Sequence, residues 1–526
     1  MKKLLLLFSL ISCMNISGQT FSANLLKNIS PDLFTNEYIA YKGKIFFPAN
    51  DGPVASPNVE LWVTDGTTSG TVLLKDLSSA ANGSTPKNFI IMDSILYFLA
   101  NDGMGYELWK SDGTAAGTIM VKDINPGPPS VISAPFLYNH ALYFYANDNV
   151  SGVELWKSDG TTAGTVLVKD INPGLADSYP QYFCIYNSLL YFSANNGTNG
   201  VELWATDGTT IGTMMVKDIN LGSGDSYPTN LFASGTKLYF NCYDSVNGSE
   251  LWSSDGTVAG TNLLKDINPG TANSIPSNFI EYSGEPYFTI ETTTGGMELW
   301  KSDGTNAGTV IVGSGFDFVS GLFNFNGMLY FNGLTVSDST QLWVTDGTAT
   351  GTGMFHRTNP VGSSSTSFLY SDSSNFYFAA TDNIKGIELW KSNGTIPGTA
   401  LLADIKTGSA SSSPSLFFTL GSTMYVYADG PNQKQWYSLA PLLGINEISE
   451  TNSITIYPNP LSFGQSLQFT THVDGITLFD ITGKEIWYIN GKNISKIDIP
   501  ENIVPGVYVV EFRSKEKIIF SRLIKN

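Results

Sequence analysis

Residues 142–174 read LYFYANDNVSGVELWKSDGTTAGTVLVKDINPG, and most of the chain is variations on this stretch. Its Leu-Trp pair returns at Trp62, Trp109, Trp156, Trp204, Trp252, Trp300, Trp343 and Trp390, at intervals of 47, 47, 48, 48, 48, 43 and 47 residues. A further step of 46 reaches Trp436 in a degraded copy, Gln435-Trp436-Tyr437-Ser438-Leu439. Such a period marks a repeat architecture, in which each unit buries its apolar face only against its neighbours.

Each unit carries four short apolar runs; in the fourth they are Gln181 to Tyr186, Leu189 to Ala194, Val201 to Ala205 and Met214 to Ile219. An Asn-Asp-Gly-like cluster parts the second from the third, and Asp-Gly-Thr-x-x-Gly-Thr parts the third from the fourth. Asp-Gly and Asn-Gly tolerate the positive φ of tight hairpins. Four strands in about 47 residues, with no amphipathic helical stretch, predict an all-β fold whose repeats form a large β-propeller. The count is nine units, with eight as the alternative if one divergent copy packs outside the ring. The copy around Trp343 is the least regular: Val310 to Gly315 lacks Lys-Asp-Ile, and Gln341 stands where other copies have Glu.

The longest connection, such as Asn172 to Pro180, is expected to cross from one unit's outer strand to the next unit's inner strand. Lys75, Lys122, Lys169, Lys217 and Lys265 then sit on outer strands, where charge discourages edge-to-edge pairing. Leu25 to Ile29 matches Leu73 to Leu77 yet follows no Trp strand, while the Trp436 copy has no outer strand after it. The N-terminal segment is therefore expected to complete the last unit and close the ring. At Glu-Leu-Trp-x-x-Asp-Gly-Thr the chain resembles the ELWxxDGT-repeat proteins, a family of exported bacterial proteins, over roughly residues 25–440. That resemblance implies architecture more than activity.

Lys2 and Lys3 precede the apolar run Leu4 to Ile11, which is too short to span a bilayer, and polar or small residues follow to Gln19. This is the layout of a cleavable signal peptide over residues 1–19. Leu10-Ile11-Ser12-Cys13 leaves a second reading open, with Cys13 lipidated. No later run is apolar enough for a transmembrane helix. Beyond Cys13 only Cys184 and Cys242 remain, so a disulfide framework is excluded and stability must come from burial. The net charge of −18 is unevenly placed: residues 447–526 contribute −1 and the remainder −17. An acidic body argues against nucleic acid and anionic membranes as partners.

The repeats are assigned to residues 20–442 and a linker to 443–453. Residues 454–526 read as a small Ig-like β-sandwich, with strands Ile454 to Tyr457, Leu467 to Thr470, Gly475 to Phe479, Glu485 to Ile489, Lys496 to Ile499, Gly506 to Arg513 and Lys517 to Ile524. Tyr457-Pro458-Asn459-Pro460, Phe479-Asp480-Ile481-Thr482-Gly483-Lys484, Gly506-Val507-Tyr508 and the basic, apolar end from Lys515 through Lys517 and Lys525 to Asn526 resemble a type IX secretion C-terminal sorting domain of type A. The resemblance implies contact with the type IX machinery, passage across the outer membrane of a Gram-negative bacterium, and attachment to the surface or release.

No catalytic constellation emerges. His140, His356 and His472 lie at unrelated repeat phases, so no metal cluster is implied. Cys184 and Cys242 read as small buried apolar side chains. No nucleophile elbow, zinc-helix or phosphate-loop motif is present. Glu107 and Asp112 recur as Glu60/Asp65, Glu154/Asp159, Glu202/Asp207, Glu250/Asp255 and Glu298/Asp303. An enzyme needs one asymmetric site, not a ring of equal ones. Asp112-Gly113 and Asp159-Gly160 are read as turn residues, the Asp accepting from the turn's backbone and Thr hydroxyl. No cofactor is expected; calcium in loops such as Asn101-Asp102-Gly103 is the alternative, although these lack the full oxygen-rich spacing of a calcium loop. The nine Trp, with Trp436 the last, are read as packing between units. The function expected is surface binding or adhesion, with an unknown glycan or protein ligand. The other class is an extracellular polysaccharide lyase or hydrolase with a site in the propeller channel, because propellers host both.

Overall fold

The computed structural model describes residues 21–25, 30–31, 37–50, 58–78, 83–127, 131–337, 339–420, 423–430, 434–441, 456–457, 461, 465–479, 485–500, 502–504, 506–513 and 518–525. The expected signal peptide, Cys13 and the expected linker lie outside these residues. The chain divides into two compact units, Met1–Ala440 and Pro441–Asn526. Every named element is a β-strand.

Among the described residues the first unit holds nine antiparallel sheets in chain order, numbered here one to nine. Sheet four is representative: Gln181–Tyr186, Leu189–Asn195, Val201–Thr206 and Met214–Lys217 pair in sequence order. Its last strand stops at Lys217 rather than the expected Ile219. The Ile219 N–H has left the ladder and donates to the Glu202 carboxylate at 2.8 Å. From sheet three to sheet nine, and between sheets one and two, the first strands of successive sheets lie against one another, as the inner strands of a propeller do.

The cores lie between sheets. Tyr97, Leu99 and Leu108 of sheet two meet Leu142, Phe144 and Trp156 of sheet three, and the same arrangement recurs along the series. Phe418, Tyr425 and Trp436 of sheet nine meet Ile45, Phe47 and Trp62 of sheet one, so the series of cores closes on itself. A fully buried ring such as Phe144 contributes roughly 1.5–3 kcal/mol. The irregular copy forms a complete sheet seven, Phe318–Phe325, Met328–Thr335, Ser339–Thr345 and Gly353–His356, with a core on each side. The 43-residue interval arises because Val310–Phe316 of sheet six reaches Phe318 with only Asp317 between them.

Phe21–Leu25 is the edge strand of sheet nine, beside Lys434–Pro441. The N-terminus thus completes the last sheet, but the pairing strand begins four residues before the expected Leu25, and residues 26–29 lie outside the described ones. Sheet nine has no Asp-Gly-Thr turn to set the register of its fourth strand, so matching Leu73 to Leu77 could not locate it. The outer-strand lysines do more than guard an edge. Lys75, Lys122, Lys169 and Lys217 donate to the carbonyls of Thr118, Thr165, Thr213 and Thr261 in the following sheet, at 2.6, 2.8, 2.7 and 2.6 Å. The Lys122 and Lys169 ammonium groups also lie 5.6 and 6.0 Å from the ring centres of Trp156 and Trp204, within cation–π range.

The second unit is one five-stranded sheet: Ile456–Tyr457, Ser466–Phe479, Gly506–Arg513 and Ile518–Lys525 in that order, with Glu485–Asp498 paired to Ser466–Phe479. Four of the expected strands are thus two long ones. Register shifts between Gln468 and Gly475 bend the hairpin without ending it, as bulges do at sheet corners. Leu467, Phe469, Ile476, Leu478, Tyr508, Val510, Phe512 and Leu523 form its core.

Candidate functional site

The repeated carboxylates are the densest chemistry in the ring. In the Asp-Gly-Thr turn of sheet two, Asp112 Oδ1 accepts from Thr114 N–H at 2.9 Å and from Thr114 Oγ1 at 2.7 Å. Gly113 takes φ +96°, a conformation that suits glycine. Asp159 and Thr161 repeat the pair of bonds at 2.8 and 2.7 Å, with Gly160 at φ +85°. A Cβ on Gly117 would fall 2.1 Å from the Asp112 carboxylate, so the second glycine of the turn is required by close approach. These hydrogen bonds hold the turn aspartates below the usual carboxylate range.

The glutamate before each Leu-Trp pair has a different task. Glu202 is fully buried, and its Oε2 accepts from Ile219 N–H at 2.8 Å and Ser226 Oγ at 2.6 Å, while Oε1 accepts from Asn220 N–H at 3.3 Å. Glu154, Glu250 and Glu388 hold the corresponding connections. Each carboxylate therefore pins the link to the next sheet against its own third strand. Burial pushes Glu154, Glu202, Glu250 and Glu388 up to about 7. In sheet seven Gln341 takes the place, accepting from Ser364 Oγ and donating to Gly362 O at 2.9 Å. In sheet six, where that link is missing, Glu298 instead accepts from Trp300 Nε1 at 2.9 Å. Spacing alone signalled that the glutamate recurs but not what it holds, because its partners lie 17 and 24 residues on.

The ring does not gather the remaining candidates. Asn101 and Asp102 accept from the backbone of their own loop. His140 bonds exposed Asp93 at 2.9 Å, and His356 lies on the last strand of sheet seven. Cys242 is buried and Cys184 partly so, and both are free thiols. Among the described residues no group of three His, Cys, Asp or Glu side chains is placed to hold a metal. Trp62, Trp109, Trp156, Trp204, Trp252, Trp390 and Trp436 are buried, while Trp300 and Trp343 are partly exposed where the sixth connection is shortened.

In the C-terminal unit Tyr508 is buried and donates to Val504 O at 2.6 Å, while Tyr457 is exposed. Gly506 starts the third strand of the sheet and faces Lys525 across the ladder. The Lys525 side chain is buried and donates to Pro500 O at 3.0 Å and Ile503 O at 2.6 Å, fastening the last strand to a turn. Its role as an internal clamp was not evident from a basic tail. Pro458, Asn459, Pro460, Asp480, Gly483 and Lys517 lie outside the described residues.

Solved structures similar to the chain include a puromycin hydrolase (11% identity, 67% of this chain and 59% of that one, TM-score 0.36). They also include a prolyl endopeptidase (11%, 69% and 56%, 0.39) and the β-propeller domain of the Trilobed protease from Pyrococcus furiosus (8%, 61% and 93%, 0.33). The chain spans less than two thirds of the first two, and the propeller assignment rests on sheet order and intersheet cores. No curated protein matches the chain. Residues 455–526 match the family model of the secretion system C-terminal sorting domain. The strand-built tail closed by Tyr508 and Lys525 is a type IX sorting domain.

Proposed function

We propose that the chain is an ELWxxDGT-repeat propeller carried out of the cell by its tail, and that the ring acts there as a non-catalytic binding or adhesion module. The tail's match to a sorting domain over residues 455–526 carries the export half of this reading. Support for the binding half comes from the ring's economy: turn aspartates and buried glutamates are occupied by backbone N–H groups and hydroxyls. What varies between copies is then free to recognise a ligand.

Deleting the last ten residues removes the strand Ile518–Lys525 and its Lys525 clamp. The expected result is a folded ring retained in the periplasm of a host with type IX secretion, while residues 447–526 fused to an unrelated periplasmic protein carry it to the surface. Surface delivery of the truncated chain would overturn the export reading. For the ring, the full exported chain is screened on a glycan array and a surface-protein panel beside a polysaccharide-degradation panel. Saturable binding without turnover is expected; turnover of any polysaccharide would overturn the non-catalytic assignment.

A further inference from the structure

The repeat supplies its own control: a residue that one copy carries and the scaffold does not need in the others is available for another purpose. The connections after sheets three and four, 170–180 and 218–228, read DINPGLADSYP and DINLGSGDSYP. In each, an aspartate accepts the N–H that opens the preceding sheet's third strand: Val153 N to Asp177 Oδ1 at 2.8 Å, and Val201 N to Asp225 Oδ1 at 2.7 Å. Elsewhere a neutral group does this work. Asn273 Oδ1 accepts from Ser249 N at 2.8 Å, and Ser411 Oγ accepts from Ile387 N at 2.9 Å. The negative charge at Asp177 and Asp225 is therefore surplus to the fold.

The same two copies depart from the rest two residues later. Tyr179 and Tyr227 take φ +45°, at the position filled by Thr85, Ile275, Ser365 and Ser413 with nearly the same φ. A bulky residue in the left-handed region is disfavoured, yet these two residues are 47% and 55% exposed, so packing does not require them. Tyr227 donates to Asp225 Oδ2 at 2.6 Å, and Tyr145 stands edge-on to Tyr179 with centroids 6.0 Å apart. Tyr145 is not a scaffold requirement either: Ser193, Asn241 and Thr289 hold its place in the next three sheets, and of the other sheets only sheet nine has a tyrosine there, the buried Tyr427. Both connections lead into inner strands that lie side by side, Gln181–Tyr186 and Thr229–Ser234. Neither contains a Lys or Arg, and Lys169 and Lys217 just before them donate to carbonyls of the following sheet.

We propose that Tyr145, Tyr179 and Tyr227 with Asp177 and Asp225 form a docking surface for a lysine- or arginine-bearing segment of a partner protein. Charge complementarity selects that occupant. Tyrosine rings beside uncompensated carboxylates attract ammonium and guanidinium groups through their full charge, whereas a neutral sugar would engage the same carboxylates only as hydrogen-bond acceptors. The surface deepens the binding role proposed above and rests on it.

The probe is fluorescein-labelled oligolysine, titrated into the full exported chain at low salt and followed by anisotropy. Two double variants take residues the repeat already tolerates: Tyr179→Ser with Tyr227→Ser, and Asp177→Asn with Asp225→Asn. Each is expected to weaken binding at least tenfold, with unchanged melting temperature. The distant control Asp76→Asn with Asp382→Asn should stay within twofold of wild type. Affinity within twofold of wild type in either test pair, or equal loss in the control pair, overturns the surface. So does a neutral oligosaccharide whose binding is lost on the tyrosine pair alone, because the occupant is then a glycan. If those variants leave intact the binding of a ligand found in the panels, only this surface falls; a wild-type chain that binds nothing in any panel removes the binding role as well.

Discussion

Glu202→Gln removes one buried carboxyl charge and keeps the side chain's shape, and Gln341 in sheet seven already fills the same place. Burial raises Glu202 from 4.5 to about 7, so between those values the folded ring holds a proton that the unfolded chain has released. The stabilisation from that proton is full below the unfolded value, declines as pH rises through the window and is gone above 7. At about 1.36 kcal/mol per unit, the wild type loses about 2.5 kcal/mol at this one site between pH 5 and pH 8. The Gln variant does not titrate there. Setting an amide N–H₂ against the Asn220 N–H costs about 1 kcal/mol, but equally at every pH. Urea unfolding of both proteins at pH 5, 6, 7 and 8 should therefore show their free-energy difference moving by about 2.5 kcal/mol in the variant's favour. A difference constant to within about 0.5 kcal/mol across that range would refute the argument and place Glu202 among ordinary ionised carboxylates.

Asp159→Ala removes the acceptor for Thr161 N–H and Oγ1 and should lower stability by roughly 1 kcal/mol in urea unfolding. Asp159→Asn should be nearly silent, since Asn393 makes the same two bonds in sheet eight at 3.0 and 2.7 Å, and EDTA should leave the melting temperature of both variants unchanged. Removing residues 19–25 takes away the edge strand of sheet nine and should open the ring, read as a sharp loss of melting temperature; unchanged melting would refute closure through Phe21–Leu25.

The sequence by itself determined the unit, its four strands and their order, because each is encoded locally. Asp-Gly-Thr-x-x-Gly-Thr folds through bonds spanning two to four residues, and strand alternation is legible at period two. It also determined the sorting tail, whose motifs are contiguous. The tertiary structure decided whatever depends on residues distant in the chain. Lys122 reads as edge protection until its Nζ is found on Thr165 O, 43 residues away. Glu202 reads as one of a ring of equal acids until the connection it pins is seen 17 to 24 residues further on. Closure set Phe21–Leu25 beside Lys434–Pro441 across the whole ring, a register no hairpin turn dictates. The surplus tyrosines and aspartates became visible only once the structure showed which bonds the other copies make without them. A repeat writes short-range hydrogen bonding into every copy; contacts between copies are settled by packing, which the linear pattern does not record.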